Sequence, residues 1–564
     1  MKILRKSFFR LLFILPLLGL ATLANAQSDP TGESAATRTY AITNATIIQA
    51  PGKMMEEGTI VITDGLITAV GKNVSIPNNA EVIDGTDMFV YPGFIDGMAN
   101  TGADRPENLE RPDNLFTPDP PNDYAGITPE HHVVQQIKTN ENSIGAMRKV
   151  GFTVSHTVPY GRMLPGSGAL ILLRDVDHPD KMILSEDVSM FTQFVGAPGA
   201  YPGNTLGIMA KFRDLYRNAA YSKQHSELYA SNPAGIERPT RDRVSEAFYP
   251  VVAKKKPIFY DASNSLEARR AMRLQNELGF SLVLGNLQEG WDLADEIKES
   301  GAKVFMSLDL PKEPKDSKDE DKSEETKNLE ERRMEFYKKY VAQYSELKSA
   351  GIKFGFSTID TRGSDVKDNL LTIIENGLSE DDALAALTTN AADLLGISSI
   401  TGTLDEGKLG NVMVTNAPYF EKDSQIKFVF VDGDKHEYEI KEKKKKSENT
   451  SETTTEGTSS IVGTWNYSFS TPQGEQTGTM VIKKDGDFFT GVLTSDDGTP
   501  DNDMLNISFV DGALDFEFSI DAGGQSIDVV VNGTVTGNEY EAEASVPAFN
   551  VSFPLLATKE VPEK

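Results

Sequence analysis

The chain has 564 residues, of which 39% are hydrophobic, with no cysteine and a formal charge of -28 at pH 7. This length predicts several domains with sizeable cores, and the lack of cysteine excludes a disulfide framework and thiolate metal ligands. So negative a chain argues against nucleic acid or an anionic membrane surface as a partner.

The first 26 residues have the pattern of a secretory signal peptide. Four basic residues within the first ten precede an apolar run at 11–23 and the small-residue motif Ala24-Asn25-Ala26. The apolar run is too short to span a bilayer comfortably. We therefore expect an exported protein, periplasmic or secreted, with no membrane span after cleavage. The alternative interpretation is a retained anchor.

Residues 38–91 alternate apolar and polar side chains in short runs, which is typical of β-strands. Asp64-Gly65 stands between the runs 58–62 and 66–71, and an Asp-Gly pair in that setting predicts a two-residue hairpin. Residues 401–439 return to the same pattern. We expect the two stretches to complete one sheet.

Between 92 and 400 short apolar runs alternate with helix-length amphipathic segments, which predicts an α/β fold with a (β/α)8 barrel. The predicted strands include 152–158, 169–173, 257–261, 280–285, 302–307 and 352–357. Near-continuous apolar strands indicate a parallel sheet buried on both faces. The insertion 104–124 follows the first strand and should lie at the catalytic end, whereas 312–333 is expected to be a solvated loop entering a surface helix.

The carboxy-terminal part is predicted to be a separate domain. Residues 440–459 are rich in Lys, Glu, Ser and Thr and indicate a linker. Residues 460–560 contain short runs separated by turns, which predicts an all-β domain. Its opening Gly463-Thr464-Trp465 resembles that of lipocalin-like barrels. The alternative is an accessory β domain without a specific ligand.

Two motifs at opposite ends of the barrel region resemble the amidohydrolase superfamily. They are Val90-Tyr91-Pro92-Gly93-Phe94-Ile95-Asp96, and a helix at 382–396 followed by the segment 402–408. The resemblance extends over about 38–439, and the chain looks most like the imidazolonepropionase-like and exported peptidase-like subgroup. It implies a barrel flanked by a composite β-sandwich from 38–91 and 401–439. It also implies hydrolysis of carbon-nitrogen bonds in a small-molecule or peptide substrate.

The resemblance further implies one or two divalent metal ions, typically zinc, held by histidines, with an aspartate that moves protons. Other residues occupy the matched positions here: Met98 and Asn100 on the first strand, Asp261 on a middle strand, Gly285 or Asn286 on the next, and Ser357-Thr358-Ile359 followed by Asp360 at the late aspartate. A thioether and a carboxamide are poor zinc ligands. The sequence thus predicts that the family's metal ligands have been replaced.

Asp96, Asp261 and Asp360 remain as candidate catalytic residues, and their oxygens could together hold a hard ion. A one-residue slip in a strand would turn Asp360 away from the lumen, although a loop at the strand end could still present it. His156 lies on the predicted second strand and is interpreted as a satisfied structural histidine or a lumen-facing group. His131 and His132 are expected at the surface.

Two functions remain open at this point. The first is a hydrolase of carbon-nitrogen bonds that works with a rebuilt carboxylate site, as the family resemblance implies. The second is a metal-free relative that binds a peptide, a small amide or a partner protein in the barrel. The simultaneous loss of several ligands favours the second function. The pattern predicts no particular oligomeric state.

Overall fold

In this computed structural model, the described residues are 38–106, 111–314, 323–440 and 461–560, the last without 472–473, 486–487, 497–501, 511–512, 523–524 and 547–550. The predicted signal peptide at 1–26 and all but the first residue of the predicted linker at 440–459 lie outside them. The chain divides into two compact units at Glu442 and Lys443. None of the helices described is both long and apolar enough to cross a membrane.

The first unit contains sixteen strands and ten α-helices within the described ranges. The strands are β1 Thr39–Ala50, β2 Lys53–Thr63, β3 Leu66–Gly71, β4 Glu81–Asp84, β5 Phe89–Pro92, β6 Phe94–Ala99, β7 Phe152–Thr157, β8 Gly166–Leu172, β9 Ile183–Thr192, β10 Ile258–Asp261, β11 Leu282–Leu287, β12 Lys303–Ser307, β13 Phe354–Ser357, β14 Val412–Thr415, β15 Ile426–Val431 and β16 Asp434–Glu437. The helices are α1 Asn122–Ala125, α2 Asn142–Lys149, α3 Thr205–Ser231, α4 Arg243–Val252, α5 Ser265–Leu278, α6 Ala294–Ser300, α7 Glu324–Ser349, α8 Val366–Glu375, α9 Glu380–Leu387 and α10 Thr389–Leu395.

The two flanks of the barrel form one mixed sheet, as the sequence predicts. Its order is β16-β15-β14-β5-β1-β2-β3, and β4 pairs with β1. The predicted hairpin joins β2 to β3, and both Asp64 and Gly65 have positive φ angles of 48° and 84°. Those angles suit the twist of a two-residue hairpin. The sheet encloses a core of its own that includes Ile60, Ile62 and Phe430.

The barrel sheet follows the order β6 to β13, and all of its neighbouring pairs are parallel except those made by β8. The expectation that the run 169–173 belongs to a parallel βα unit is therefore wrong, because β8 is antiparallel to both β7 and β9. A parallel crossover needs about a dozen residues or more, usually with a helix. The connections 158–165 and 173–182 hold no α-helix, so the chain makes hairpins there.

The barrel is nearly closed where β13 meets β6. The Ser357 hydroxyl and the Thr358 N–H both donate to the carbonyl oxygen of Met98, over 2.7 and 3.2 Å. These bonds follow the end of β13 rather than forming a regular ladder, and they join the last strand of the barrel to its first. The carboxyl ends of the parallel strands therefore meet around one opening, which we call the mouth.

The helix predicted at 382–396 is two helices in the structure, α9 and α10. They meet at Thr388, whose φ of -130° and ψ of -87° are not helical. The Thr388 hydroxyl donates to the carbonyl oxygen of Leu384 over 2.5 Å. Such back-bonding by a threonine competes with the regular helical ladder, and the break lets α10 pack against β13 at a new angle.

The second unit is an all-β closed barrel of eight antiparallel strands. The strands are β17 Gly463–Thr471, β18 Gly474–Asp485, β19 Phe488–Ser495, β20 Asn502–Val510, β21 Ala513–Ala522, β22 Gln525–Thr536, β23 Glu539–Val546 and β24 Val551–Lys559. Trp465, Phe516 and Tyr540 are buried in its core. The Trp465 indole N–H donates to the Ile461 carbonyl over 2.9 Å, so this large side chain is buried without losing its hydrogen bond.

Candidate functional site

Two of the predicted site residues, Asp261 and Asp360, meet at the barrel mouth through Asn286. The Asn286 side-chain Nδ2 donates to Asp360 Oδ2 over 2.7 Å and to Asp261 Oδ1 over 3.3 Å. Asp261 ends β10, Asn286 lies near the end of β11, and Asp360 is in the loop after β13. The loop thus presents Asp360 to the same point as Asp261. A one-residue slip in the strand does not turn Asp360 away from the mouth, because Asp360 lies in the loop that follows the strand.

Asn286 reaches between the two carboxylates because β11 bulges there. Its φ of 53° is left-handed, a conformation that asparagine adopts more readily than most residues. The register with β12 shifts between Leu284 and Leu287. A bulge redirects a side chain and is frequent beside active sites. Asn286 is completely buried, and its Oδ1 has no hydrogen-bond partner within the described ranges.

The surroundings of Asp261 favour its neutral form. Burial is the main cause that raises its pKa to about 7, the negative charges of Asp360 and Glu267 raise it further, and the Asn286 hydrogen bond opposes them. Asp360 is exposed at the mouth. A carboxylic acid beside a carboxylate can serve as a general acid and a general base near neutral pH.

Asp96, the third candidate, does not join this pair but fixes the barrel closure. Its carboxylate accepts from the Thr358 N–H over 3.2 Å and the Met98 N–H over 3.3 Å, and also from the Thr358 hydroxyl. Burial raises the Asp96 pKa to about 7, although the hydrogen bonds from Thr358 oppose that shift. Because Thr358 precedes Asp360 by two residues, Asp96 orients the loop that carries Asp360.

The residues present do not fit the zinc centre that the fold family implies. The Met98 side chain packs against Gly285 so closely that a Cβ added at Gly285 would lie 2.5 Å from the Met98 sulfur. The Asn100 amide is committed to the carbonyl oxygen of Val158, to which it donates over 2.8 Å. Among the described residues, no three His, Asp or Glu side chains are arranged to hold a metal ion.

The barrel lumen beneath the mouth is filled by aromatic side chains. Phe305 lies over Gly97 and Gly355, where added Cβ atoms would come within 1.9 and 2.6 Å of its ring. His156 donates or accepts at both ring nitrogens, with Ser189 Oγ and Gly97 O each 2.8 Å away. Burial lowers its pKa to about 4. The prediction of a satisfied structural histidine is confirmed, and the lowered pKa favours the neutral imidazole.

His131 and His132 lie on the segment that covers β8. His131 is exposed, and the Nδ1 of the half-exposed His132 is 2.8 Å from Ser167 Oγ and 3.6 Å from the Asp187 carboxylate. In a serine-histidine-aspartate relay the serine and the aspartate contact different ring nitrogens. Here both partners share Nδ1, so this cluster lacks the geometry of a nucleophilic triad.

Sequence reasoning missed several residues that surround the carboxylate pair. Asp309 follows β12 by two residues, and burial and then the negative charges of Asp360 and Asp365 raise its pKa. The Tyr340 hydroxyl of α7 donates to the Asp309 carbonyl over 2.8 Å. Trp291 packs on Tyr340 with ring centroids 6.2 Å apart. The position of Asp309 directly after a predicted strand was the available signal, because barrel sites form at strand ends.

Comparisons with known proteins match parts of the first unit to amidohydrolases. A model of the amidohydrolase family matches residues 284–435, which include most of β11 and all of β12 to β15. A dihydroorotase-like protein from Helicobacter pylori is 41% identical over 59 residues, which cover 10% of this chain and only 15% of that relative.

Solved structures share the fold of the first unit. The crystal structure of an amidohydrolase from Thermotoga maritima MSB8 superposes with a TM-score of 0.57 at 21% identity, covering 70% of this chain and 99% of that one. A Xaa-Pro dipeptidase crystallised with methionine in its active site gives a TM-score of 0.41 at 14% identity, covering 71% and 100%. The second likeness is too weak to add to the first.

The fold and site together define a mixed α/β protein with a nearly closed eight-stranded barrel and polar groups at its mouth. Such a barrel, with a sheet built from the segments that flank it on both sides, is the architecture that the resemblance implied. Residues 284–435 match the amidohydrolase family model, and the first unit shares its fold with the Thermotoga maritima amidohydrolase. The predicted resemblance to the amidohydrolase family is confirmed over that range.

Proposed function

We propose that this protein hydrolyses carbon-nitrogen bonds of small amides or short peptides with the carboxylate pair Asp261 and Asp360, without a metal ion. The family's metal-binding histidines are, in this proposal, replaced by Met98, Asn100, Asp261 and Asn286. One observation carries the proposal: both carboxylates accept from the same Asn286 nitrogen at the mouth of the barrel. Paired carboxylates of this kind divide the roles of acid and base.

In the proposed reaction, ionised Asp360 accepts a proton from a water molecule. The water oxygen forms a bond to the amide carbon, and protonated Asp261 donates its proton to the departing nitrogen as the carbon-nitrogen bond breaks. The products are a carboxylic acid and an amine, and a proton passing from Asp360 to Asp261 restores the starting state. Asn286 holds the two carboxyl groups, while Asp96 acts as a positioning residue through Thr358.

The test is turnover of a panel of small amides and dipeptides by the Asp261→Asn variant. We expect a loss of about 100-fold or more, because removal of a general acid or base has that effect. Asp180→Asn is the matched control, since Asp180 is exposed in the 173–182 connection at the opposite end of the barrel. Equal turnover by Asp261→Asn and the unmodified protein, with both folded by circular dichroism, would contradict the proposal.

A second candidate is a barrel that binds a peptide, a small amide or a partner protein without cleaving it. The observation in its favour is the Met98 side chain, which stands at a matched ligand position and packs closely against Gly285. Elemental analysis of the mature chain, purified without chelators or a histidine tag, tests both candidates. Stoichiometric zinc, manganese or iron would contradict the metal-free site that they share.

We also propose that the protein is exported through residues 1–26 and carries a lipocalin-like second unit after a linker. The motif at Gly463 opens β17, and the interior of that barrel is packed with Trp465, Phe516 and Tyr540. This packing supports an accessory role over capture of a ligand inside the barrel. A mature amino terminus at Gln27 is expected by mass spectrometry of the protein from its native cell, and an intact Met1 would refute export by cleavage.

A further inference from the structure

Helix α7 buries three polar side chains against the carboxyl ends of the barrel strands, where a helix usually buries apolar ones. Tyr340, Gln343 and Tyr344 are 4%, 0% and 0% exposed. The Tyr344 hydroxyl donates to the Ser307 carbonyl oxygen over 2.7 Å, and the Tyr340 hydroxyl donates to that of Asp309 over 2.8 Å. The buried face of α7 therefore holds backbone at the mouth through directional hydrogen bonds.

Gln343 holds the segment that follows β11, residues 288–290, at two points. Its Oε1 accepts from the Gly290 N–H and its Nε2 donates to the Gln288 carbonyl oxygen, each over 2.7 Å. Gly290 allows α7 to come this close, because a Cβ added there would lie 3.0 Å from Leu347 Cδ1 and 3.4 Å from Gln343 Oε1. Two bonds from one buried amide fix both the position and the orientation of the segment.

The bulge in β11 explains why this segment needs support from a side chain. The ladder between β11 and β12 is interrupted between Leu284 and Leu287, and Asn286 within that stretch has a left-handed backbone. A bulge disrupts the ladder locally, and a residue in such a conformation persists only where its surroundings enforce it. Gln343 acts two residues beyond Asn286, on the chain that emerges from the bulge.

The same segment is also connected to Asp261. Glu289 lies between the two residues that Gln343 holds, and its Oε2 accepts from the Ser265 N–H over 3.2 Å and from the Ser265 hydroxyl over 3.4 Å. Ser265 begins α5, shortly after Asp261 ends β10. Residues 288–290 are thus linked along the chain to Asn286 and through Ser265 to the loop after Asp261.

We infer that Gln343 is a positioning residue for the carboxylate pair. By holding residues 288–290 it keeps the Asn286 amide in place between Asp261 and Asp360. This inference rests on the proposed function for the roles of the two carboxylates, and it adds to that function a helix that supplies no reacting group. Without the two bonds from Gln343, the bulge relaxes and the Asn286 amide leaves the carboxylates more often.

The test is hydrogen exchange at the Asn286 side-chain amide, followed by NMR on the full chain labelled with isotopically enriched asparagine and assigned by the signal missing from Asn286→Ser. Gln343→Met keeps the length of the side chain and removes both hydrogen bonds. We expect exchange at Asn286 to become about tenfold faster or more, because the loss of buried hydrogen bonds makes local opening easier. Glu289→Ala, at a half-buried position, should act in the same direction, and it decides the matter if Gln343→Met does not fold.

Two controls separate positioning from a general loosening of the fold. Asn390 reports in the same spectrum, because its amide donates over 3.1 Å to the Phe354 carbonyl oxygen at the amino end of β13, away from the mouth. Gln275→Met is the matched variant, since Gln275 donates over 2.9 Å to the Ser300 carbonyl oxygen, which precedes the amino end of β12. Neither exchange at Asn390 in the test variant nor exchange at Asn286 in the matched variant should rise by a comparable factor.

Unchanged exchange at Asn286, or equal acceleration at Asn286 and Asn390, overturns the inference. Turnover of the amide panel is measured separately. In Gln343→Met, kcat should fall about tenfold or more with little change in KM, because small displacements of reacting groups slow the chemical step. Turnover that is lost in Asp261→Asn and unchanged in Gln343→Met would overturn the inference and leave the proposed function standing. Faster exchange at Asn286 in Gln343→Met, without any turnover by the unmodified protein, would do the reverse.

Discussion

Asn286 joins Asp261 and Asp360 through its side-chain nitrogen. Its left-handed backbone directs the side chain to the two carboxylates. A left-handed residue inside a strand costs free energy unless the surroundings require it. The bulge at this point turns a side chain that regular alternation would not direct to the carboxylates. The sequence showed that Asn286 occupies a matched ligand position, but it could not show the bulge, because Asn286 is followed by Leu287 with no turn residue to mark it.

The pKa of Asp261 gives a prediction of pH dependence. A carboxyl group whose pKa is about 7 in the folded protein, above its unfolded value, binds its proton more tightly when folded. Its stabilising contribution is therefore complete below the unfolded pKa near 4 and is lost as pH rises through 7. We expect the melting temperature of the unmodified protein to fall relative to that of Asp261→Asn from about pH 4 to about pH 7, between the unfolded and the folded pKa, and to level off above the folded pKa.

The comparison with Asp261→Asn isolates this one group. Asp96 has a similarly raised pKa, and Asp309 is also shifted upward, but both are present in the two proteins compared. Glu267 and Asp360, the charges that face Asp261, are unchanged as well. Parallel curves of melting temperature against pH would show that Asp261 titrates at its ordinary value.

Met98 and Gly285 provide a prediction about packing in the lumen. Gly285→Ala would place a Cβ 2.5 Å from the Met98 sulfur and should lower the free energy of unfolding by about 1–3 kcal/mol. Met98→Ala removes the obstacle, so the double variant should recover part of that loss. Urea unfolding of the two single variants and the double variant measures the coupling. Strict additivity would mean that the two side chains do not compete for the same space.

At the scale of elements, the closure between β6 and β13 depends on side chains rather than on a regular ladder. Asp96→Ala leaves the Met98 N–H and the Thr358 hydroxyl without their acceptor, whereas the Thr358 N–H keeps the Met98 carbonyl oxygen. We expect the free energy of unfolding of the first unit to fall by about 2–4 kcal/mol, the cost of two unsatisfied buried donors. Urea unfolding followed by far-ultraviolet circular dichroism measures the change.

Asp180→Ala serves as the control for this variant, and its exposed position predicts a change within about 0.5 kcal/mol. If Asp96→Ala lowered the free energy of unfolding no more than Asp180→Ala does, the barrel closure would not depend on the Asp96 carboxylate. Catalysis should also fall in Asp96→Ala, because the loop to Asp360 loses its support, and Thr358→Val should reproduce part of that loss.

Some elements could be predicted from the sequence because their signals are local. The Asp64-Gly65 hairpin and the strand runs at 257–261 and 302–307 correspond to strands in the structure. The direction of a strand cannot be predicted from a local pattern, because an apolar run such as 169–173 has the same composition in a parallel or an antiparallel strand. The long strand β9 was not predicted, because the polar residues Ser185, Glu186 and Asp187 interrupt its apolar pattern.

At the scale of the whole molecule, the formal charge of -28 and the carboxylates of Asp261, Asp309 and Asp360 at the strand ends act in the same direction. A negative field over the surface attracts cations from a distance, while the carboxylates at the strand ends concentrate that field at one place. Composition gives the overall charge of the chain, but it does not show which carboxylates lie together at the strand ends. The sequence could predict that Asp261 and Asp360 share the carboxyl end of a barrel, whereas the clustering of Asp309, Glu289 and Trp291 required the loops to be seen.

The antiparallel direction of β8 also limits how this barrel could be remodelled. The connection 158–165 joins two strands at the mouth, so each added or removed residue would shift the β8 register and exchange its two faces. The segments after β6 and β9 have no such constraint, because they lead into helices. Insertions that alter selectivity, whether by evolution or by an engineer, would therefore accumulate after Ala99 and after Thr192, and the β7–β8 connection would keep its length.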